Sequence, residues 1–209
     1  MKERPIIFTE NIPAILEGRK TQTRRVIKLK GYSREIWDKC VPHNGDKAIL
    51  LGEPYLKVPY DPITDNAGNR ITCPYGQVGD RLWVRESYGY LIDGSIAYRA
   101  DCDPWHLKHG YTIKWKPSIH MFRKDSRITL EITEVRVERL QEVTPEDCIE
   151  EGIISGISLD TGLMEEEAIY EVDLIIRFER RWDSLNAKRG YGWEVNLWVW
   201  VISFKRVGV

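Results

Sequence analysis

The segment Val195–Phe204 constrains this chain more than any other. Val195, Leu197, Val199 and Val201 fall on one parity, and Trp198, Trp200, Ile202 and Phe204 on the other. Side chains of a strand alternate between its faces, so as a strand this segment leaves no face for water. It must lie inside a sheet with an apolar layer on each side. A chain of 209 residues can supply both layers, because about 70% of the unfolded surface is buried at this size and no disulfide staples are needed.

Other periodic segments show where these layers come from. Ile128, Leu130 and Ile132 share one face of a strand over Ile128–Val137, and then the phase flips to Val135 and Val137, as at a β-bulge or a barrel corner. Leu82 and Val84 alternate with Trp83 and Arg85 in a strand Arg81–Tyr88, and Thr21–Ile27 reads as another. Ile175, Phe178, Trp182 and Leu185 keep helical spacing over Glu165–Leu185. Two shorter helices are framed by their ends. One has Asn11 as cap, Pro13 in its first turn and Gly18 as stop; the other has Thr144 as cap, Pro145 first, Asp147 as the returning acid and Gly152 as stop. Together these predict an α+β fold: a small, mostly antiparallel β-barrel with short helices at its ends. Residues 1–209 form a single domain on this reading. Two loop-rich stretches, about 31–75 and 93–124, hold too few apolar residues for cores of their own and read as insertions. Trp182, Trp198 and Trp200 fit the buried faces and not a stacking platform.

Charge excludes some functions. Lysine and arginine (31) nearly balance aspartate and glutamate (32), and a net charge of −1 does not suit a generic polyanion binder. The distribution is uneven: seven basic residues and no acid lie between Arg19 and Arg34, and eleven acids with no lysine or arginine between Leu140 and Ile176. The basic run reads as a local anion-binding patch or as a solvated face. The acidic run, residues 140–176, reads as a solvated face or a surface for a protein partner. No apolar run approaches the roughly 20 residues of a transmembrane helix, and no signal-peptide core follows Met1–Pro5, so a cytoplasmic protein with no membrane partner is expected. Cys40, Cys73, Cys102 and Cys148 are widely spaced with no C-x-x-C pair. Reduced thiols are expected, and no metal or other cofactor, although His43, His106 and His109 lie near two of them.

Ile15–Arg25 carries the densest chemistry. A helix ends at Gly18, and a strand begins with Lys20, Thr21, Thr23, Arg24 and Arg25. Alternation groups Gln22 and Arg24 with Lys20, and the two threonines with Arg25, but at a turn that alternation is unreliable and Lys20 and Thr23 can converge. A lysine surrounded by Arg19, Arg24 and Arg25 has its pKa pushed down by like charge, which makes it a base for a neighbouring hydroxyl. The plainer reading is an exposed basic strand start.

The same residues carry a resemblance. Gly18-Arg19-Lys20-Thr21-x-Thr23-x-Arg25 after a short apolar helix resembles the signature of ASCH domains, and Gly79-Asp80-x-Leu82-x-Val84-Arg85-Glu86 resembles the turn and strand that follow it. With Trp115–Met121 and Gly190–Trp193 in order, nearly the whole chain is similar to the longer ASCH proteins common in phages and prophages. The resemblance implies a PUA-like barrel and a role with RNA or modified nucleosides. One small bacterial branch removes the acetyl group of N4-acetylcytidine with a Lys, a Thr three residues later and a Glu on a later short helix. Here these fall on Lys20, Thr23 and Glu151, with Glu150 adjacent. Another branch is associated with ribonuclease activity. This chain differs from the small amidohydrolases in its two insertions and its C-terminal helix. The implied function is action on RNA or a modified nucleoside, by hydrolysis of an N-acyl amide or of RNA; the alternative is a non-catalytic RNA- or nucleotide-binding module. Thr23 would supply or hold the attacking hydroxyl, Lys20 take its proton, and Glu151 protonate or orient the leaving nitrogen. Arg19, Arg24 and Arg25 would meet phosphate. From the second insertion, Trp115, Ser118, His120 and Arg123 suit stacking, hydroxyl and phosphate contacts; the alternative is that Trp115 and Pro117 anchor a long loop onto the barrel.

Overall fold

The computed structural model describes residues 1–8, 11–28, 41–42, 55–57, 70–102, 113–157 and 164–207. In chain order the elements are β1 (Glu3–Ile7), α1 (Ile12–Leu16), β2 (Gln22–Val26), β3 (Val41–Pro42), β4 (Tyr55–Lys57), β5 (Arg70–Thr72), β6 (Arg81–Arg85), β7 (Tyr88–Tyr90), β8 (Ile96–Tyr98), β9 (Thr129–Arg139), α2 (Pro145–Glu150), α3 (Met164–Asn186) and β10 (Trp198–Val207).

β10 lies between β9 and β2 in a five-stranded sheet of order β1-β6-β9-β10-β2. It is buried on both faces, as its sequence requires. Trp200, Ile202 and Phe204 pack with Ile6, Leu82, Leu130 and Ile15 of α1, while Val199 and Val201 pack with Cys148 of α2 and Leu174, Phe178 and Trp182 of α3. Alternation fails only at the start of the apolar segment. Trp193–Val195 forms a 3₁₀ turn, Asn196 is left-handed (φ 46°), and Leu197 joins the same layer as Trp198. β9 has the expected bulge: Glu134 faces Ser203 and Ile132 faces Phe204, so Thr133 has no ladder partner. That extra residue returns Val135 to the layer of Ile132. α2 begins with the expected reciprocal cap, Asp147 N donating to Thr144 Oγ1 (3.2 Å) and Thr144 N to Asp147 Oδ2 (3.1 Å). On α3 the deepest side chain is Leu174, not Ile175, and Leu185 stays exposed.

The sheet does not close. β1 pairs with β6, in parallel, and β2 pairs with β10, so β1 and β2 are edges and the expected barrel is not formed; the fold is α+β with a mixed, open sheet. Strand periodicity reports burial of faces and carries no signal for closure. β1 itself was hidden by its composition, since Pro5 lies in its middle, a position a strand tolerates at a sheet edge. Between the two edges stand side chains. Arg25 Nη2 donates to Ile7 O (2.7 Å), and the guanidinium lies over the Phe8 ring, 5.1 Å from its centroid.

Within 31–75, β3, β4 and β5 form a small antiparallel sheet in that order, with Ala48–Leu51 outside the described residues. Within 93–124, β8 pairs with β7 and Tyr88 bridges to Lys116, while Arg123 Nε donates to Glu3 Oε2 (3.0 Å); Trp105 lies outside the described residues. Among the described residues no helix is long and apolar enough to cross a membrane.

Candidate functional site

The open seam holds a cleft of about 180 Å³, walled by Ile7 and Phe8, by Lys20 and Thr23–Val26, by Glu151, and by Phe178, Arg181 and Trp182 of α3. Its geometry begins at the end of α1. Gly18 is left-handed (φ 76°), and the chain turns back so that Lys20 N donates to Ala14 O (2.9 Å). Thr21 N donates to Glu150 O (2.8 Å) and Phe204 N to Thr21 O (2.7 Å), which fixes the start of β2 between α2 and β10. Gly152 lets α2 come this close: at φ 82°, a Cβ there would lie 3.2 Å from the Cβ atoms of Ala14 and Lys20.

Lys20 therefore turns inward and is 5% exposed. Its Nζ donates to Glu151 Oε2 (2.6 Å) and to Glu151 O (2.7 Å). Burial holds the Lys20 pKa below the ordinary lysine value, and Glu151 opposes that shift. Like charge contributes less, and it comes from Arg25 and Arg181, not from Arg19 and Arg24. The expected direction holds, with desolvation as its main cause. Thr23, opposite Ile202 on β10 and 4% exposed, lines the cleft together with Lys20 and Glu151.

Gln22 and Arg24 build the wall behind. Gln22 Nε2 donates to Glu150 Oε2 (2.8 Å). Arg24 has a fully buried side chain that donates to Gln22 Oε1 (2.6 Å), Asp147 Oδ2 (2.7 Å) and Glu138 Oε2 (3.3 Å). Arg136 completes the network from β9, donating to Asp147 Oδ1 (2.7 Å) and Glu134 Oε2 (2.9 Å). This corrects the expectation for Arg24: its guanidinium is spent on carboxylates inside the fold and does not reach out to phosphate. Glu151 Oε1 is a loose end of the same network. Arg24 Nη1 lies 3.7 Å away, beyond hydrogen-bond range, and this buried oxygen has no hydrogen-bond partner among the described residues.

The cleft thus gathers Lys20, Thr23, Arg25 and Glu151. Arg19 is exposed and paired with Glu17 (2.6 Å). Trp115, Ser118 and His120 lie beside the β7–β8 hairpin, where Ser118–His120 is a 3₁₀ turn and His120 O accepts from Tyr88 Oη (3.1 Å). None of these four lines the cleft. No family model, curated protein or solved structure matches this chain.

Asn11, read from the sequence only as a helix cap, and Arg181, not singled out there, also belong to the site. Asn11 makes no side-chain cap to α1; it is left-handed (φ 67°), its Nδ2 donates to Glu151 O (3.3 Å), and its Oδ1 accepts from Arg181 Nη1 (2.8 Å). Arg181 had a signal in the sequence, a cation directly before Trp182 at the edge of the buried stripe of α3. Phe8, an aromatic following an unrecognised strand, had none.

Burial pushes the Cys73 thiol up to about 11 and the Cys148 thiol up to about 12, so neither serves as a nucleophile near neutral pH. Among the described residues no three His, Cys, Asp or Glu side chains converge as a metal site; Cys40, His43, His106 and His109 lie outside them. Of the acids in 140–176, Glu142 accepts from Arg139 N, Asp147, Glu150 and Glu151 hold β2, and Asp173 accepts from Ser155 Oγ and Gly156 N.

Proposed function

We propose that the cleft takes the base of a modified nucleoside or nucleotide and hydrolyses an N-acyl amide on it. The observation that carries this reading is the Lys20–Glu151 pair, 2.6 Å apart in a cleft that Thr23 also lines, with Glu151 Oε1 left without a donor. A buried carboxylate oxygen seeks a donor. An N–H on the edge of a base, such as that on C4 of cytosine, is a donor of the right kind. Phe8 and Trp182 offer apolar walls for a ring. The resemblance of Gly18–Arg25 to the ASCH signature supports the same roles for Lys20, Thr23 and Glu151. Such a substrate is met in the cytoplasm, where we place the protein.

Burial disfavours the charge on Lys20, so passing its proton to Glu151 across their short contact frees the amine for the reaction. The amine takes the proton of the attacking hydroxyl, which is Thr23's own or that of a water bound to it. The oxygen adds to the acyl carbon, and the C–N bond breaks as Glu151 delivers its proton to the leaving nitrogen. Lys20 then again carries the proton that it donates to Glu151, and the pair is as it began. Where Thr23 itself carries the acyl group, water releases it by the same transfers.

A second reading, a reader that binds without turnover, is favoured by the two acceptors already on Lys20 Nζ, an arrangement that suits a group holding a turn in place. One experiment separates the two. The full chain is incubated with N4-acetylcytidine and related N-acyl nucleosides, and products are followed by chromatography. Acyl release by the wild type, lowered about 100-fold or more in Thr23→Val at an unchanged melting temperature, is the expected result. Binding without release makes the protein a reader, and neither binding nor release removes the base-binding assignment altogether.

A further inference from the structure

A second hollow of about 370 Å³, which shares Arg181 with the cleft, lies between the Gly152–Ile154 turn and the face of α3 that bears Arg177, Arg180 and Arg181. Arg181 lines both spaces. Their electrostatics are one-sided. Glu151, already paired with Lys20, is the one carboxylate among the described residues lining either space, and the hollow itself has none. The three arginines of the hollow are not equivalent. Arg177 Nε is held by Asp173 Oδ2 (2.6 Å), and its guanidinium packs against Gly156, so it belongs to the turn. Arg181 is oriented by Asn11 Oδ1 (2.8 Å), the same asparagine that donates to Glu151 O. Arg180 is exposed and makes no ion pair or hydrogen bond among the described residues. Arg189, on the far rim of the cleft, is likewise exposed and without such a partner.

We propose that this hollow is a phosphate subsite, with Arg180 as its free guanidinium and Arg181 as the hinge between phosphate and base, so that the ligand is a nucleotide and not a free nucleoside. The proposal rests on the base-binding reading of the cleft and names its substrate class. Arginine suits the task because its planar fork meets two phosphate oxygens at once. A base in the cleft carries its sugar outward, and a hollow walled by arginines, with no acid among its described lining residues, is where an attached phosphate gains most. The shared ligand chemistry is a phosphate ester next to the base, whether of a mononucleotide or of an RNA strand. The basic run Arg19–Arg34, the obvious phosphate patch in the sequence, is not this site. Of its described members, Arg19 pairs with Glu17, Lys20 with Glu151, Arg24 is buried, Arg25 bridges to Ile7, and Lys28 is exposed but lines neither space.

The test compares affinities of the full chain for N4-acetylcytidine, its 5′- and 3′-monophosphates, a short RNA carrying the same base, and an oligouridine of equal length. Wild type and Arg180→Ser are measured at two salt concentrations. Expected is a gain of about tenfold from nucleoside to one of the monophosphates, one good charge-assisted contact by the relation of affinity to free energy. Arg180→Ser should shrink that ratio to about threefold or less, and for RNA lower the salt slope by about one. A further gain from monophosphate to RNA identifies the chain as the natural ligand, and no further gain identifies the free nucleotide; either supports the subsite. Nucleoside and monophosphates binding alike overturns the subsite and leaves the base reading standing. A phosphate gain that survives Arg180→Ser also overturns it, because the phosphate then lies elsewhere. Oligouridine binding that is sensitive to Arg180→Ser, with no nucleoside or monophosphate bound, keeps the arginines as a phosphate contact and removes the base reading. Binding of no probe removes both.

Discussion

At Lys20 burial and pairing pull in opposite directions. Desolvation disfavours its charge, while Glu151 supplies two acceptors within 2.7 Å. From sequence, a lysine among surface arginines could be replaced with little effect on folding. The structure reverses that expectation, because removing one member of a buried pair leaves the other uncompensated. Lys20→Met should cost about 3–5 kcal/mol, and Lys20→Met/Glu151→Leu markedly less than the sum of the single changes. Urea denaturation of the two singles and the double measures this. Additive costs, or a Lys20→Met protein as stable as the wild type, would show that the pair is not coupled. The convergence of Lys20 and Thr23 was legible because both sit within five residues of the turn at Gly18. The fate of Arg24 was not, because its acceptors come from positions 138 and 147, which only the folded sheet brings to it.

The elements legible in the sequence are those whose determinants are local. The reciprocal cap of α2 needs only Thr144 and Asp147, and the bulge in β9 needs only the flip from Ile132 to Val135. Where an element depends on a distant partner, the sequence is silent, and the turn after α2 shows why. Ser155 and Gly156 are held by Asp173 of α3, seventeen or eighteen residues on, through Ser155 Oγ (2.7 Å) and Gly156 N (2.8 Å). These donors, led by the Ser155 hydroxyl and followed by the Gly156 amide and Arg177, hold the Asp173 carboxyl down to about 2 from an ordinary 3.8. A carboxylate with a depressed folded pKa contributes stability above its unfolded value and loses it as pH falls through the folded one. The turn should therefore be held above pH 3.8 and loosen progressively towards about 2. Amide-exchange protection factors at Gly156 and Ile157 report this directly. They should fall across that window in the wild type and be low and flat in Asp173→Asn. Constant protection in the wild type down to the lower end would contradict the assignment.

At the scale of the whole molecule, the decisive feature is that the sheet stays open and the cleft occupies the opening. Two-sided burial of β10 fixed the layers from sequence, but whether β1 and β2 join depends on edges that no hydrophobic pattern reports. In place of a backbone ladder, Arg25 joins them through one hydrogen bond to Ile7 O (2.7 Å) and by lying over Phe8 and, at 5.9 Å, Tyr75. An edge strand tied to the sheet on one side should open by itself before the sheet unfolds. Amides of β1 should then exchange at a lower free energy than those of β9 and β10. Arg25→Met keeps the side chain's stem but leaves Ile7 O without its donor, which costs about 1–3 kcal/mol. The link is broken both in local opening and in global unfolding, so the substitution should lower the exchange free energy of β1 and of β10 by the same amount and preserve the gap between them. Hydrogen exchange read strand by strand tests the arrangement. Protection of β1 equal to that of β10 in the wild type would mean that the two edges act as one closed unit. Unchanged exchange in Arg25→Met would mean that the seam is held by something other than this arginine.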